Sequence, residues 1–416
     1  KVAQAFRAWA RSTAIRINPD APEAAAIEAV VGPARVFALG EPTHGAPELL
    51  AFRNRLFLVL GERLGFTAIA LETGFTEAHV INHFVLGGPG DAATVARTHL
   101  SWGFGEFAGN HELLQWIRDY NANSSSGRKI RFYGIDLTGA KHGAFPDALR
   151  AIDFALEYLA SVDPAAANEC RKRLNPFLSR FSSYEYLSLS QSERSAFKKG
   201  LASLEKAVRL RKPAHEASTV QQAHEWARHS IVVARQLMRM FDVSPPPGPG
   251  LSPDAWRTVE ARDAAMAENL RWVLLQERRG GRVLVFAHNA HVISSTLQGG
   301  VWSVFRKPPA AMGKALRDTL RGDLVVIGTS LGVGAPGSEN GIGSERRDSY
   351  TVDRALATLG ERSFILDLRR AASTGLVNNW LSRSQSLRAN ESTFMTVVPA
   401  TAFDAIYMLD HPPAAR

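Results

Sequence analysis

Apolar residues along this chain fall into two alternating patterns. Short runs of Val, Ile, Leu and Phe, each closed by a polar or glycine-bearing turn, read as strands buried on both faces. They lie at residues 35–40 (RVFALG), 67–71 (TAIAL), 129–134 (KIRFYG), 282–287 (RVLVFA), 323–328 (DLVVIG) and 363–368 (SFILDL). A seventh is read at 405–409 (AIYML). Between them the pattern is helical. The alternation predicts an α/β protein with a mostly parallel central sheet flanked by helices.

One stretch breaks the alternation. Residues 147–241 are rich in Ala, Leu, Arg and Glu, carry no strand pattern, and lead into the turn-forming SPPPGPG at 244–250. We read an all-helical insertion (147–250) between a first part of the α/β core (1–146) and a second (251–416). The helix that follows is marked by Ser252 as its cap, Pro253 at its first position and Gly280 at its exit. Repeats are weak, although VFALGEPTH and VLVFAHNAH both place a histidine-bearing turn after a strand.

Composition then removes several classes. The chain has 416 residues, 45% hydrophobic and 21% charged, ordinary for a globular protein. No apolar run reaches the roughly 18 residues of a membrane-spanning helix. Cys170 is the only cysteine, which excludes an internal disulfide framework and a cysteine-based metal cluster. The net charge of +9 invites a nucleic-acid reading. The basic groups at 198–199, 209–212 and 278–279 are short and scattered, with acids among them, and read as solvated surface. We therefore expect no nucleic acid, no membrane and a monomer. A cytoplasmic location is favoured; because the chain opens on Lys1 and a signal peptide is unobservable, an exported form stays as the alternative.

Ionisable residues gather at the C-terminal ends of the strands. The first delivers Glu41 and His44, the second Glu72, the third Asp136, and the fourth His288 and His291. Open α/β sheets bind ligands beside those ends. A lone histidine there is more often a hydrogen-bonded structural residue, and a lone Glu a solvated cap. Three histidines and two glutamates at the ends of three strands point to a shared site. Glu106 and Glu112 extend Glu41 and Glu72 into a rim of acids, with the helical segment at 147–241 as a cover over the site.

Competing motifs fail on context. GTSLG at 328–332 has the spacing of a nucleophile elbow, but glycine-rich loop follows where a helix is needed. Only His411 could then serve Ser330 as base, and Ser330 is rejected as a nucleophile. GVGAPG at 332–337 lacks the same helix. HEWARH at 224–229 is one residue too long for H-E-x-x-H.

Six segments resemble the erythromycin esterase family: GEPTHG (40–45), FRNRLF (52–57), ALETGF (70–75), YGIDL (133–137), RDAAMAENL (262–270) and AHNAH (287–291). The resemblance implies a hydrolase that opens a cyclic ester with water and without a covalent serine intermediate. The motif spacing supplies no complete ligand set, whereas Glu41, His44 and Arg53 supply a base and a positive charge, so we expect no metal and no cofactor. The resemblance carries catalytic roles to Glu41, His44, Arg53, Glu72 and His288, with His44 as general base. The family includes antibiotic-resistance enzymes and relatives that do not cleave macrolides. In this reading Glu41 or Glu72 orients His44, Arg53 neutralises the oxyanion, and His288 protonates the alkoxide or positions water. Trp102, Phe104, Phe107 and His291 are read as substrate-binding, and Asp136, Arg262 and Asp263 as supports, with Asp136 holding Arg53 or a histidine. Two alternatives stay open. One is a metal-dependent hydrolase with His44, Glu72, His288 and His291 as ligands; the other is a non-catalytic metabolite-binding or biosynthesis-associated homologue.

Overall fold

In the computed structural model of the protein, all residues are described except 125–126, 142, 214–218, 247, 249, 278–279, 333–350, 391–392 and 410–416. Ten strands occur among the described residues: β1 (Ile15–Arg16), β2 (Val36–Glu41), β3 (Phe66–Gly74), β4 (Arg131–Asp136), β5 (Arg282–His288), β6 (Leu324–Leu331), β7 (Ser363–Asp367), β8 (Gln385–Arg388), β9 (Phe394–Val397) and β10 (Ala405–Leu409). Eight form one sheet in the order β1-β7-β10-β6-β2-β5-β3-β4, and β8 with β9 makes a separate antiparallel hairpin. Only β7 runs against its neighbours in the sheet. The α/β class and all seven predicted strands are present. Every residue of β2, β6, β7 and β10 is buried, which is why these strands read as nearly unbroken apolar runs.

Two elements had no counterpart in the sequence reading, and one helix boundary is corrected. β1 is only two residues long and the hairpin strands are mixed, so neither gave a pattern. The helix expected to start at Pro253 starts at Trp256 and ends at Gln276. Ser252 instead accepts from the Asp254 amide across a turn, and the Pro253 carbonyl is taken by the Arg306 amide.

Between β4 and β5 the described residues hold helices and no strand: Arg150–Val162, Pro164–Leu178, Gln191–Leu210, Thr219–Val243 and Trp256–Gln276. Aromatic packing seats this segment on the β4 edge. Trp226 stacks on Tyr133 of β4 at 5.7 Å and meets Trp272 edge-on at 5.2 Å.

The middle of the sheet is where site residues are placed. β2 pairs with β5 in parallel register, so that Glu41 lies opposite His288. The short helix Asn289–Val292 crosses β2 so closely that a Cβ on Gly40 would stand 2.2 Å from Asn289 Oδ1. Asn289 also exchanges two hydrogen bonds with the Thr329 backbone, tying the end of β5 to β6.

Candidate active site

A cleft of about 550 Å³ opens at the C-terminal ends of β2, β3 and β5. His44, Glu72, Arg262, His288 and His291 supply its polar lining. Trp102, Phe104 and Phe107 line it from one segment, and Val259, Leu297, Val301 and Trp302 from others. Ala389 and Asn390, beside the β8–β9 hairpin, complete it. No residue of the helices between 150 and 243 is among them. The expected helical cover is therefore corrected, because that segment spends its apolar face on the β4 edge.

The turn after β2 forms a tight pair. His44 Nδ1 lies 2.6 Å from Glu41 Oε1, with the imidazole half-exposed and the carboxylate buried. Burial works against the charged ring and is outweighed: the hydrogen bond it donates to Glu41 and the charges of Glu72 and Glu41 push the His44 pKa above 6.5. Burial raises Glu41 in turn. Its Oε2 has no hydrogen-bond partner among the described residues. The ring packs 4.8 Å from Phe104. Gly45 at φ +78° lets the Phe107 ring close over the turn, where a Cβ would come within 2.4 Å of it.

The turn after β5 meets a denser network. Arg262 donates to Glu72 Oε1 at 2.9 Å and to both oxygens of Asp136 at 3.0 and 2.6 Å. Trp102 Nε1 donates to Asp136 Oδ2 at 2.8 Å, and the Arg262 guanidinium lies 4.7 Å over the Trp102 ring. Trp102 takes a left-handed backbone conformation, φ +62°, to reach it. His291 stands between carboxylates, with Nδ1 2.9 Å from Asp263 Oδ1 and Nε2 3.2 Å from Glu72 Oε1. Burial opposes its charge, but Asp263 and Glu72 lift its pKa to about 10. Glu72 is held well below the ordinary carboxylate range: burial pushes it up, and His291 and Arg262 more than reverse that.

His288 is committed to backbone. Its Nδ1 accepts from the Ala290 amide at 3.1 Å, which makes Nε2 the protonated nitrogen, donating to the carbonyls of Ala389 at 2.5 Å and Pro42 at 3.1 Å. Burial and the His44 charge lower its pKa to about 4, so the ring is neutral at pH 7. Arg53 is buried on the helix Pro47–Arg63 and does not line the cleft. Its nitrogens donate to Asn54, Asn110 and the Gly109 carbonyl, and burial lowers its pKa to about 10. It borders a second cavity of about 10 Å³ shared with Glu41 and Glu72.

A family model described as erythromycin esterase matches residues 62–411. The chain belongs to the erythromycin esterase family. It is 27% identical over 308 residues to erythromycin esterase type II of Escherichia coli, covering 72% of this chain and 69% of that one. Three solved structures share the fold. A Bacillus cereus protein has a TM-score of 0.77 at 22% identity, covering 98% of this chain and 97% of that one. A protein described as succinoglycan biosynthesis protein scores 0.76 at 20% identity with the same coverage. The erythromycin esterase EreC, as a histidine-to-asparagine mutant in its open conformation, scores 0.66 at 18% identity, covering 95% and 97%. Membership supports a hydrolase acting on an ester bond, with a small molecule as substrate.

Within this erythromycin esterase family member, most residues singled out from sequence meet at the cleft or directly behind it. Asp136 holds Arg262 and Trp102, and Asp263 holds His291, so the expectation that Asp136 holds Arg53 or a histidine is corrected. Glu106 and Glu112 are solvent-exposed and do not line the cleft, and Glu41 and Glu72 are buried; the expected acidic rim is absent. Ser330 is buried on β6, donating to Asp353 Oδ1 at 2.6 Å. His224 and His229 bond separately, to the Val208 carbonyl and to Asn269. GVGAPG beyond Gly332, and His411, lie outside the described residues. Among the described residues no three His, Cys, Asp or Glu side chains are grouped to hold a metal ion. No helix among the described residues is long and apolar enough to cross a membrane. Leu297, Val301, Trp302 and the hairpin edge had no sequence signal, because their part in the cleft depends on pairings made far along the chain, such as the Thr396 amide with the Gln298 carbonyl.

Proposed function

We propose that the protein hydrolyses an ester of a bulky, largely apolar molecule, with a macrolide lactone as the candidate class, through water activated by His44. The observation that carries this reading is the Glu41–His44 pair. A buried carboxylate fixes Nδ1, and Nε2 is the nitrogen left to the cleft. A neutral imidazole there takes a proton from water as hydroxide adds to the ester carbonyl, and Glu41 stabilises the imidazolium. Arg262 is the guanidinium that lines the cleft, and it replaces Arg53 as the charge facing the oxyanion. Arg53 acts from below on Glu41. The apolar residues at 102–107 and 297–302 suit a ligand with broad hydrophobic faces.

Erythromycin, tylosin and a small aryl ester, each incubated with the protein and followed by mass spectrometry, test the reading. A gain of one water on a macrolide supports it. Turnover of the small ester alone leaves a general esterase, and turnover of none favours the metabolite-binding homologue. The chain's own base and cation carry the proposed reaction, so full activity is expected after dialysis against a chelator. Loss on chelation with recovery on adding one metal back would reverse that assignment.

A further inference from the structure

Ester hydrolysis needs a proton for the departing alkoxide as well as a base for the water. His44 is the base, and the lone pair and the N–H of His288 are both spent on backbone groups. His291 remains. Resting on the hydrolase reading above, we propose that His291 is the general acid that protonates the leaving alkoxide.

Its two nitrogens are set up differently. Nδ1 faces Asp263 Oδ1 at 2.9 Å, and the other Asp263 oxygen is anchored by the Met312 amide at 2.7 Å. That carboxylate only accepts, so Nδ1 stays a donor whatever happens across the ring. Nε2 has two neighbours of opposite kind: Glu72 Oε1 at 3.2 Å, an acceptor, and Arg262 Nη1 at 3.3 Å, a donor. A protonated Nε2 donates to Glu72. A deprotonated Nε2 accepts from Arg262. The ring is thus satisfied both before and after it gives up a proton, and it lines the cleft from a site that is otherwise buried. A purely structural imidazolium has no use for the second partner.

The step balances. His44 Nε2 takes one proton from water, and the hydroxide forms a bond to the carbonyl carbon. The carbon–alkoxide bond then breaks, its electron pair leaves on oxygen, and that oxygen takes the Nε2 proton of His291. Arg262 Nη1 turns its hydrogen to the vacated nitrogen. Solvent removes the extra proton from His44 and returns one to His291, and the products are the carboxylic acid and the alcohol.

The test uses two esters of one acyl group, one releasing an alkyl alcohol and the other 4-nitrophenol, which leaves as its anion. His291→Asn is expected to lower kcat/KM for the alkyl ester by about 10²-fold more than for the nitrophenyl ester. Equal losses on both esters, or no loss on either, would overturn the assignment. If the variant does not fold, the unmodified protein decides through a series of leaving groups. A rate nearly independent of leaving-group pKa supports the acid, and a steep rise with better leaving groups removes it. His44→Asn separates the two levels. Unchanged hydrolysis of both esters in that variant would undo the hydrolase reading itself, whatever His291 does.

Discussion

After β2 the chain presents Glu41 and His44; after its sheet neighbour β5 it presents His288 and His291. The two turns look alike in sequence, yet their histidines live in opposite electrical settings. His44 has one carboxylate partner and 38% of its side chain in solvent. His291 sits between two carboxylates beside an arginine, and His288 has been neutralised by burial. The lesson is that a strand-end histidine takes its role from what the neighbouring strands and helices bring to it. Glu72 from β3 and Asp263 from a distant helix set the β5 turn, while the β2 turn depends mainly on its own Glu41.

The sharpest way to break this comparison is to remove the open histidine. His44→Asn should lower esterase activity by about 10²- to 10⁴-fold with the thermal midpoint nearly intact. Retained activity in a folded variant would take His44 out of the mechanism.

Next comes a contrast between the two carboxylates. Glu72→Gln strips a buried partner from both Arg262 and His291 and should cost about 3 kcal/mol or more of stability. Glu41→Gln loses one charge-assisted bond to a half-exposed ring and should cost about 1–2 kcal/mol. Urea unfolding of both variants checks the order, and a larger loss at Glu41 would invert the comparison.

The pH dependence should show two limbs. His288 has a folded pKa of about 4 against 6.5, so its contribution is whole above about pH 6.5 and is lost as pH falls toward 4. The buried His229, also lowered to about 4, adds to that limb. His291, raised to about 10, contributes fully below 6.5 and loses its contribution as pH rises through 10. Thermal midpoints across pH should peak near neutrality, and His291→Gln should flatten the alkaline side. In kinetics, the raised pKa of His44 places the acidic limb of kcat/KM above 6.5.

The smallest effect on activity is expected at Ser330, outside both turns. Ser330→Ala should keep most esterase activity while losing about 1–3 kcal/mol of stability, since Asp353 would be left with an unmet buried oxygen. Stoichiometric labelling of Ser330 by a phosphonate would instead restore an acyl-enzyme.

The parallel strands were legible because burial on both faces makes them continuous apolar runs, and the ionisable residues were legible because they follow those runs directly. Pairings were not. Asp136 and Arg262 are 126 residues apart, and nothing local tells Asp136 to choose Arg262 over Arg53. Arg53 has the helical position of a cleft residue, yet Asn110, 57 positions on, claims its guanidinium. The choice of Glu41 for His44 was also open in sequence, since spacing within one turn cannot weigh it against a carboxylate on another strand. The second apolar wall stayed hidden for the same reason, being assembled from a loop and a hairpin that meet only in the folded chain.

Trp102 carries a consequence for how such sequences diverge. A bulky side chain at φ +62° costs about 1–3 kcal/mol of backbone strain, and here it is held by Asp136 and Arg262. In a lineage that lost either partner, the indole would keep the cost without the clamp. Drift toward glycine or asparagine, which accept that conformation readily, is then expected at 102. Positions 102, 136 and 262 should accordingly change together or not at all, and an ancestor rebuilt with only one of them replaced should fold less well than either end of its branch.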